Sequence, residues 1–371
     1  MKLTFFSLSN PNLSELSLRE IKEIVNVEGE LNQRAITFSL SEPGNVITLF
    51  QRNQSLQNLS LFLQKLDDFS KLEIDTKLIN NLFGAGEKEL KFKLEIEGVK
   101  GNENRIELGK TIYQPLIEQF KEKIGIELSV DFKNPDLVFQ VYYTGLEEPS
   151  KDYLFGLRLN KEDFDSRSFR VFAHQASFKG DFGYFLLRKL GLEKNDQLLC
   201  MFAKDATIPI EAALFQNELN VRKIKSEDHL SKIPILTKIV GSISNTESSN
   251  EKKVVSAFEE KAGNVRSARN NAKIAKVSDY LNLVIASLDD LELKFQEQEF
   301  DKAIVHLTTK DEDRLNEIYY QLNYVLKGGA KVLFISRPSF ELVVSDKFKE
   351  LFNEEVHRGG SSYQVVCLEK K

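Results

Sequence analysis

Side chains able to do chemistry are sparse in this sequence, and most of them are cationic. Between Lys252 and Lys276 lie Lys252, Lys253, Lys261, Arg266, Arg269, Lys273 and Lys276, opposed only by Glu259 and Glu260. Arg266, Arg269, Lys273 and Lys276 recur at three or four residues, which lines them along one helix face. Such a stripe is either a solvated face or a track for phosphates, whose counterions a basic surface releases. A second group, Lys161, Arg167, Arg170, His174 and Lys179, is close in sequence, and Arg105 and Lys110 with Asn102 form a thinner one. The four histidines, His174, His229, His306 and His357, are far apart and have no HxxxH or CxxC companion, so no metal site is expected. Cys200 and Cys367 make neither a disulfide framework nor a metal spacing, which suits a reducing compartment. Neither a GxSxG elbow nor a P-loop occurs.

The elements that must position these residues read as two to three domains, given 371 residues with 41% hydrophobic and 29% charged content. A net charge of −5 means that nucleic-acid binding would need a local basic face. The 27 phenylalanines fall mostly at strand or helix periods and read as core. The opening MKLTFFSLSNPNLSE is too short in apolar run for a signal peptide, and no stretch of eighteen uncharged apolar residues follows, so a cytoplasmic protein without membrane contact is expected.

Residues 1–70 read as strand, helix, strand, strand, helix, a ferredoxin-like order. Asn10-Pro11 reads as a cap and first turn, AITFSL (35–40) and NVITLF (45–50) as strands about a Pro-Gly turn, and Leu56 to Leu66 as a helix. Residues 71–165 mix the alternating strand KFKLEIEG (91–98), a helix over about 107–124, and strands at 126–132, 137–143 and 153–159. Residues 166–371 alternate helix with buried strand in the manner of an open doubly wound sheet. Its strands are QLLCMF (197–202), KVVSAF (253–258), LNLVIAS (281–287), KAIVHL (302–307), KVLFIS (331–336) and YQVVCLEK (363–370), with Gly328-Gly329 as a turn. The polar stretch 241–253 reads as an inserted surface loop.

Three segments carry a resemblance: RSFRVFAHQASFK (167–179), LLCMFAKDATIPIEAAL (198–214) and NVRSARNNAKIAKV (264–277). With the closing HRGGSSYQVVCLEKK (357–371), they resemble the THUMP-domain RNA methyltransferases, especially the archaeal enzymes that methylate the exocyclic amine of a tRNA guanosine. The resemblance implies an α/β protein in which ferredoxin-like (1–70) and THUMP (71–165) α+β units precede a Rossmann-like methyltransferase domain (166–371). It also implies S-adenosylmethionine as cofactor if the site is active, and no cofactor otherwise.

The family's cofactor turn is D-P-x-C-G-S-G-T leading into P-I-E-A-A; here Cys200 to Thr207 occupies it. Thr207, Pro209, Ile210 and Glu211 match, whereas the leading acid and both glycines are absent. Each replaced glycine adds a Cβ and penalises left-handed backbone, and Lys204 and Asp205 bring charge to the cofactor's place. Read plainly, the same stretch is a sheet-to-helix turn with Thr207 as N-cap. The resemblance makes Glu259 the acid for the ribose hydroxyls, although a solvated helix-start carboxylate reads equally well. Ser287 stands where the third strand's adenine-binding acid belongs, with Asp289 and Asp290 just beyond. His306, Thr308 and Thr309 replace the Asn, Pro and aromatic of the catalytic N-[LP]-P-Y, so His306 is the candidate catalytic acceptor or else a structural strand-end histidine.

By the same resemblance, Arg167, Phe169, Arg170, His174 and Ala176 follow the segment R-x-Y-R-x-x-x-H-P-A, with Gln175 in place of Pro. The candidate RNA-binding residues are therefore Arg105, Lys110, Arg167, Arg170, His174, Lys179, Arg266, Arg269 and Lys273, recognising shape and backbone. The expected partner is tRNA or another structured RNA; a protein partner or a homo-oligomer is a further option. The expected function is RNA binding with impaired or lost methyl transfer. The alternatives are an active tRNA guanosine methyltransferase with atypical motifs and a non-catalytic subunit of a modification complex.

Overall fold

Leu3–Leu8 is buried on nearly every residue, and its neighbours in space explain why: it is an interior strand of a broad sheet. The structure, a computed structural model, describes residues 2–83, 88–145, 152–242, 251–340 and 342–371. The chain divides into two units, Met1–Phe164 with Lys223–Thr246, and Asp165–Arg222 with Glu247–Lys371.

The first unit runs β1 (Leu3–Leu8), α1 (Ser14–Val25), β2 (Gly29–Asn32), β3 (Ala35–Leu40), α2 (Pro43–Arg52), β4 (Ser60–Leu66), α3 (Thr76–Phe83), β5 (Lys88–Glu97), α4 (Asn102–Ile124), β6 (Ile126–Val130), β7 (Leu137–Tyr143) and β8 (Tyr153–Arg158). One eight-stranded sheet joins them in the order β2-β3-β1-β4-β8-β7-β5-β6. β1 to β4 form the ferredoxin-like βαββαβ arrangement, through different segments from those expected. NVITLF is not a strand but most of α2. Pro43 presets the first helical turn, and Val46, Ile47, Leu49 and Phe50 are buried at helical spacing, which overrides their β propensity. The expected helix from Leu56 to Leu66 is instead β4, because Leu61 pairs with both Phe5 and Leu157 across the sheet. Asn10 accepts from the Leu13 amide at 3.1 Å in a turn, so α1 begins only at Ser14.

Gly156 shows what the sheet centre requires: a Cβ there would overlap the Leu61 carbonyl and the Phe6 ring.

The second unit opens with α5 (Gly180–Lys189), β9 (Leu198–Met201) and α6 (Thr207–Gln216). The chain then contributes a segment to the first unit, where Leu230, Ile233 and Leu236 join the core and α7 (Pro234–Ser242) forms. Of the stretch expected as an inserted loop, 243–250 lies outside the described residues. The second unit resumes with β10 (Val255–Glu259), α8 (Ala262–Ala275), β11 (Leu281–Ile285), β12 (Phe300–His306), α9 (Glu312–Val325), β13 (Leu326–Ser336), β14 (Phe348–Arg358) and β15 (Ser361–Lys370).

Its seven strands lie in the order β11-β10-β9-β12-β13-β15-β14. The first five are parallel and β15 is antiparallel to both neighbours, a Rossmann-like α/β sheet. Three expectations change here. β11 is an edge strand and only half-buried, not interior. Gly328-Gly329 lies within β13 rather than before it, with Gly329 at φ 75° beside a register shift. β14 was unforeseen; its residues are mostly exposed and charged, which hides strand character. Successive strands leave β9 in opposite directions, so the carboxyl ends of β9 and β12 border the switch point where such sheets bind ligands. No helix among the described residues is long and apolar enough to cross a membrane.

Candidate functional site

Five residues join the end of β9 to the start of α6, and their backbone is unusual. Phe202, Lys204 and Ala206 have φ of 58°, 52° and 60°, a left-handed conformation that costs an L-residue roughly 1–2 kcal/mol. The Cβ penalty expected from the missing glycines therefore falls on residues that do take the glycine conformation. The turn is held by Ala203 N–H to Phe258 O at 3.0 Å, Ala206 N–H to Ala203 O at 2.7 Å, and Lys204 N–H to the Glu259 carboxylate at 2.9 Å.

From this turn the Lys204 side chain runs, buried, to the end of β12, where Nζ meets Nδ1 of His306. Burial pushes the Lys204 ammonium down to about 8, with Glu259 and Asp205 pulling it back up. Burial also pushes the His306 imidazole down to about 3, and the Lys204 charge adds to that. At neutral pH the pair is thus an ammonium donating to a neutral imidazole. Phe178 lies against the His306 ring at 4.5 Å, with Tyr363 packed edge-on to Phe178 at 5.3 Å. Between the turn and β12 lies a recess of about 20 Å³ lined by Ser177, Phe178, Phe202, Lys204, Ile304 and His306, room for about one water.

The surrounding frame is densely bonded. Asp205, fully buried, accepts from His174 N–H at 3.0 Å, Thr207 N–H at 3.1 Å, Thr207 Oγ1 at 2.8 Å and Ser177 Oγ, with the Arg170 guanidinium 3.9 Å away. Asn271 on α8 donates to the Asp205 carbonyl at 2.9 Å and accepts from Phe172 N–H at 3.0 Å. Arg167 and Glu211 form a bidentate pair at 2.6 and 3.1 Å, with side chains 1% and 0% exposed. Gly180 sits so close that a Cβ would overlap the Glu211 carboxylate.

The sequence candidates thus separate. Thr207, Glu259 and His306 do converge on the turn. Thr207 is the first helical residue rather than the N-cap, which is Ala206, and its hydroxyl donates to Asp205. Both Glu259 oxygens accept backbone amides, Lys204 at 2.9 Å and Lys261 at 3.1 Å, so it is no solvated helix-start carboxylate. Ser287 is exposed and donates to Asp290 at 2.7 Å.

Arg167 cannot meet RNA phosphates as expected, because its guanidinium is buried on Glu211. Arg170 and His174 are half-buried, the His174 Nδ1 accepting from Ala176 N–H at 3.1 Å. Lys179 is exposed and pairs with Asp165 at 2.9 Å. Arg266, Arg269 and Lys273 are exposed on α8, as are Arg105 and Lys110 on α4. The sequence reading missed the hub role of Asp205 and Asn271; the only local signal was an Asp two residues before a helix start. Among the described residues, no group of three or more His, Cys, Asp or Glu could hold a metal.

Residues 167–335 match the family described as RMKL-like, methyltransferase domain. The chain is 22% identical over 314 residues, 80% of its own length and 79% of the relative's, to a tRNA (guanine(6)-N2)-methyltransferase of Methanocaldococcus jannaschii. It is 23% identical over 226 residues to the protein of the same name from Archaeoglobus fulgidus, covering 59% of this chain and 55% of that one. The crystal structure of TrmN from Thermus thermophilus superposes with a TM-score of 0.67 over 100% of both chains at 18% identity, a likeness of fold.

Proposed function

We propose that this chain, whose residues 167–335 form an RMKL-like methyltransferase domain, is a tRNA-binding protein of the THUMP methyltransferase family that has lost methyl transfer from S-adenosylmethionine. The names of its relatives support tRNA as partner and guanine methylation as the ancestral reaction. The observation that carries the loss is Lys204, which stands at a glycine position of the family turn and reaches His306 across the switch point. The recess beside Lys204, about 20 Å³, has room for about one water, so the Lys204 side chain occupies the space between the turn and His306. Thr308 and Thr309 offer no ring to stack a target base.

In this reading, the ferredoxin-like residues 1–70 and THUMP residues 71–165 belong to the RNA-binding half, with Arg105 and Lys110 on its exposed α4 face. The α8 face with Arg266, Arg269 and Lys273 tracks phosphate, and the protein works in the cytoplasm. The test incubates unmodified tRNA with the protein and methyl-labelled S-adenosylmethionine. The expected result is salt-sensitive tRNA retention without label incorporation; label transferred to tRNA overturns the proposal.

A second reading, an active guanosine methyltransferase with atypical motifs, draws support from one observation: the turn keeps left-handed backbone at Phe202, Lys204 and Ala206. It requires that Glu259→Ala and His306→Ala each abolish transfer in the same assay.

A further inference from the structure

We propose that Lys204 is a built-in plug: this one side chain, rather than collapse of the surrounding fold, closes the crevice between β9 and β12, and shortening it reopens a site for an adenosyl thioether. The proposal rests on the reading that the cofactor site is lost, and it assigns that loss to one residue.

Three observations separate a plug from a collapse. The turn backbone has the shape that glycines would give it, left-handed at Lys204 and Ala206 as well as Phe202. A turn that had adapted to its bulkier residues would have relaxed into ordinary right-handed or extended backbone, at lower cost. The frame behind the turn is also complete: Asp205 takes its donors from His174, Ser177 and Thr207, and Asn271 ties the Asp205 carbonyl to α8. Finally, Glu259 is fixed at the carboxyl end of β10 by the backbone amides of Lys204 and Lys261, which shortening a side chain leaves in place. A carboxylate accepting two amides keeps further lone-pair capacity for a ligand.

The Lys204 stem crosses what remains. Its ammonium has an acceptor waiting, His306 Nδ1, on a ring pinned by Phe178. The side chain is therefore held across the opening instead of lying out in solvent. Its positive charge is balanced locally by the neighbouring carboxylates of Glu259 and Asp205. The plug thus acts by its bulk, from one position where the family pattern has no side chain at all.

The test is equilibrium dialysis of labelled S-adenosylhomocysteine against the full chain, comparing wild type with Lys204→Gly, Lys204→Ala, the pair Lys204→Gly with Ala206→Gly, and Lys204→Met. Glycine suits the left-handed backbone, and Lys204→Ala carries the test should the glycine variants fail to fold. The expected result is at least about tenfold tighter binding by the shortened variants than by wild type, a difference of about 1.4 kcal/mol, with Lys204→Met as weak as wild type because its stem still fills the space. Folded, shortened variants that bind no better than wild type overturn the plug while leaving the loss of transfer standing. Equal binding by Lys204→Met and Lys204→Gly would overturn it too, by assigning the block to charge rather than bulk. Tight binding by wild type itself would sink both the plug and the reading it rests on.

Discussion

Two neighbouring regions of the second unit differ in how their side chains are used. In the frame, formed by Arg167, Asp205, Glu211 and Asn271, buried polar groups bond to polar groups, and Arg167 and Glu211 stand at matching positions of the resembled motifs while Asp205 does not. In the recess, lined by Lys204 and His306, both residues depart from the resembled motif, and a buried cation leans on a neutral imidazole. The frame is required for folding whatever the unit binds, because an unpaired charge inside a protein is far costlier than a satisfied pair. The recess carries no such requirement in the proposed reading, in which no cofactor is bound there. The contrast therefore separates fold from function residue by residue.

The largest effect is expected from Glu211→Ala. It leaves the Arg167 guanidinium buried without its carboxylate, and the expected loss is about 3–5 kcal/mol of stability in denaturant unfolding. A loss no larger than that of an exposed pair would remove the distinction between frame and recess.

The recess should reveal itself through pH. His306 stays neutral in the folded protein down to about 3, while in the unfolded chain it gains a proton as pH falls through its ordinary value near 6.5. The unfolded state then binds more protons, so stability is full above that value and is lost on acidification towards 3, at up to about 1.4 kcal/mol per pH unit. His229 in the first unit, pushed down to about 4 chiefly by burial, adds a slope of the same sign. His306→Gln should remove its share of the acid slope of unfolding free energy and leave that of His229 intact.

On the alkaline side, burial holds the folded Lys204 at about 8, below its ordinary 10.5. The folded state sheds that proton first, so the burial cost is complete below 8 and is relieved as pH rises from 8 to 10.5. Lys204→Met should thus stabilise the protein at neutral pH by about 1–2 kcal/mol, the relieved burial partly offset by the lost hydrogen bond, and flatten the alkaline slope. Destabilisation would mean that Lys204 belongs to the frame.

The smallest effect on folding is expected at α8. Arg269→Ala and Lys273→Ala touch exposed residues and should change stability by no more than about 0.5 kcal/mol. Each should lower the salt slope of tRNA binding by about 0.7–0.9; an unchanged slope would return this face to an ordinary solvated helix.

Much of the second unit was legible in the sequence because its parallel strands are apolar runs: β9 and β12 lie within two residues of expectation, and β13 ends where expected although it begins five residues earlier. β14 was hidden because an edge hairpin needs little burial, and Val, Ile and Thr in α2 mimicked a strand until Pro43 and tertiary burial decided otherwise. At the site, the replaced glycines could be read from the turn motif, but the consequences could not. That Lys204 folds inward to His306, that Asp205 gathers the 174–177 segment, and that Arg167 is buried on Glu211 all depend on contacts 28 to 102 residues apart in the chain. Local pattern carries no such information.

Titration calorimetry of the wild-type chain with S-adenosylmethionine at neutral pH decides whether the second unit has kept its frame and lost the proposed cofactor site. No saturable heat is expected; binding with a micromolar Kd overturns the proposed loss.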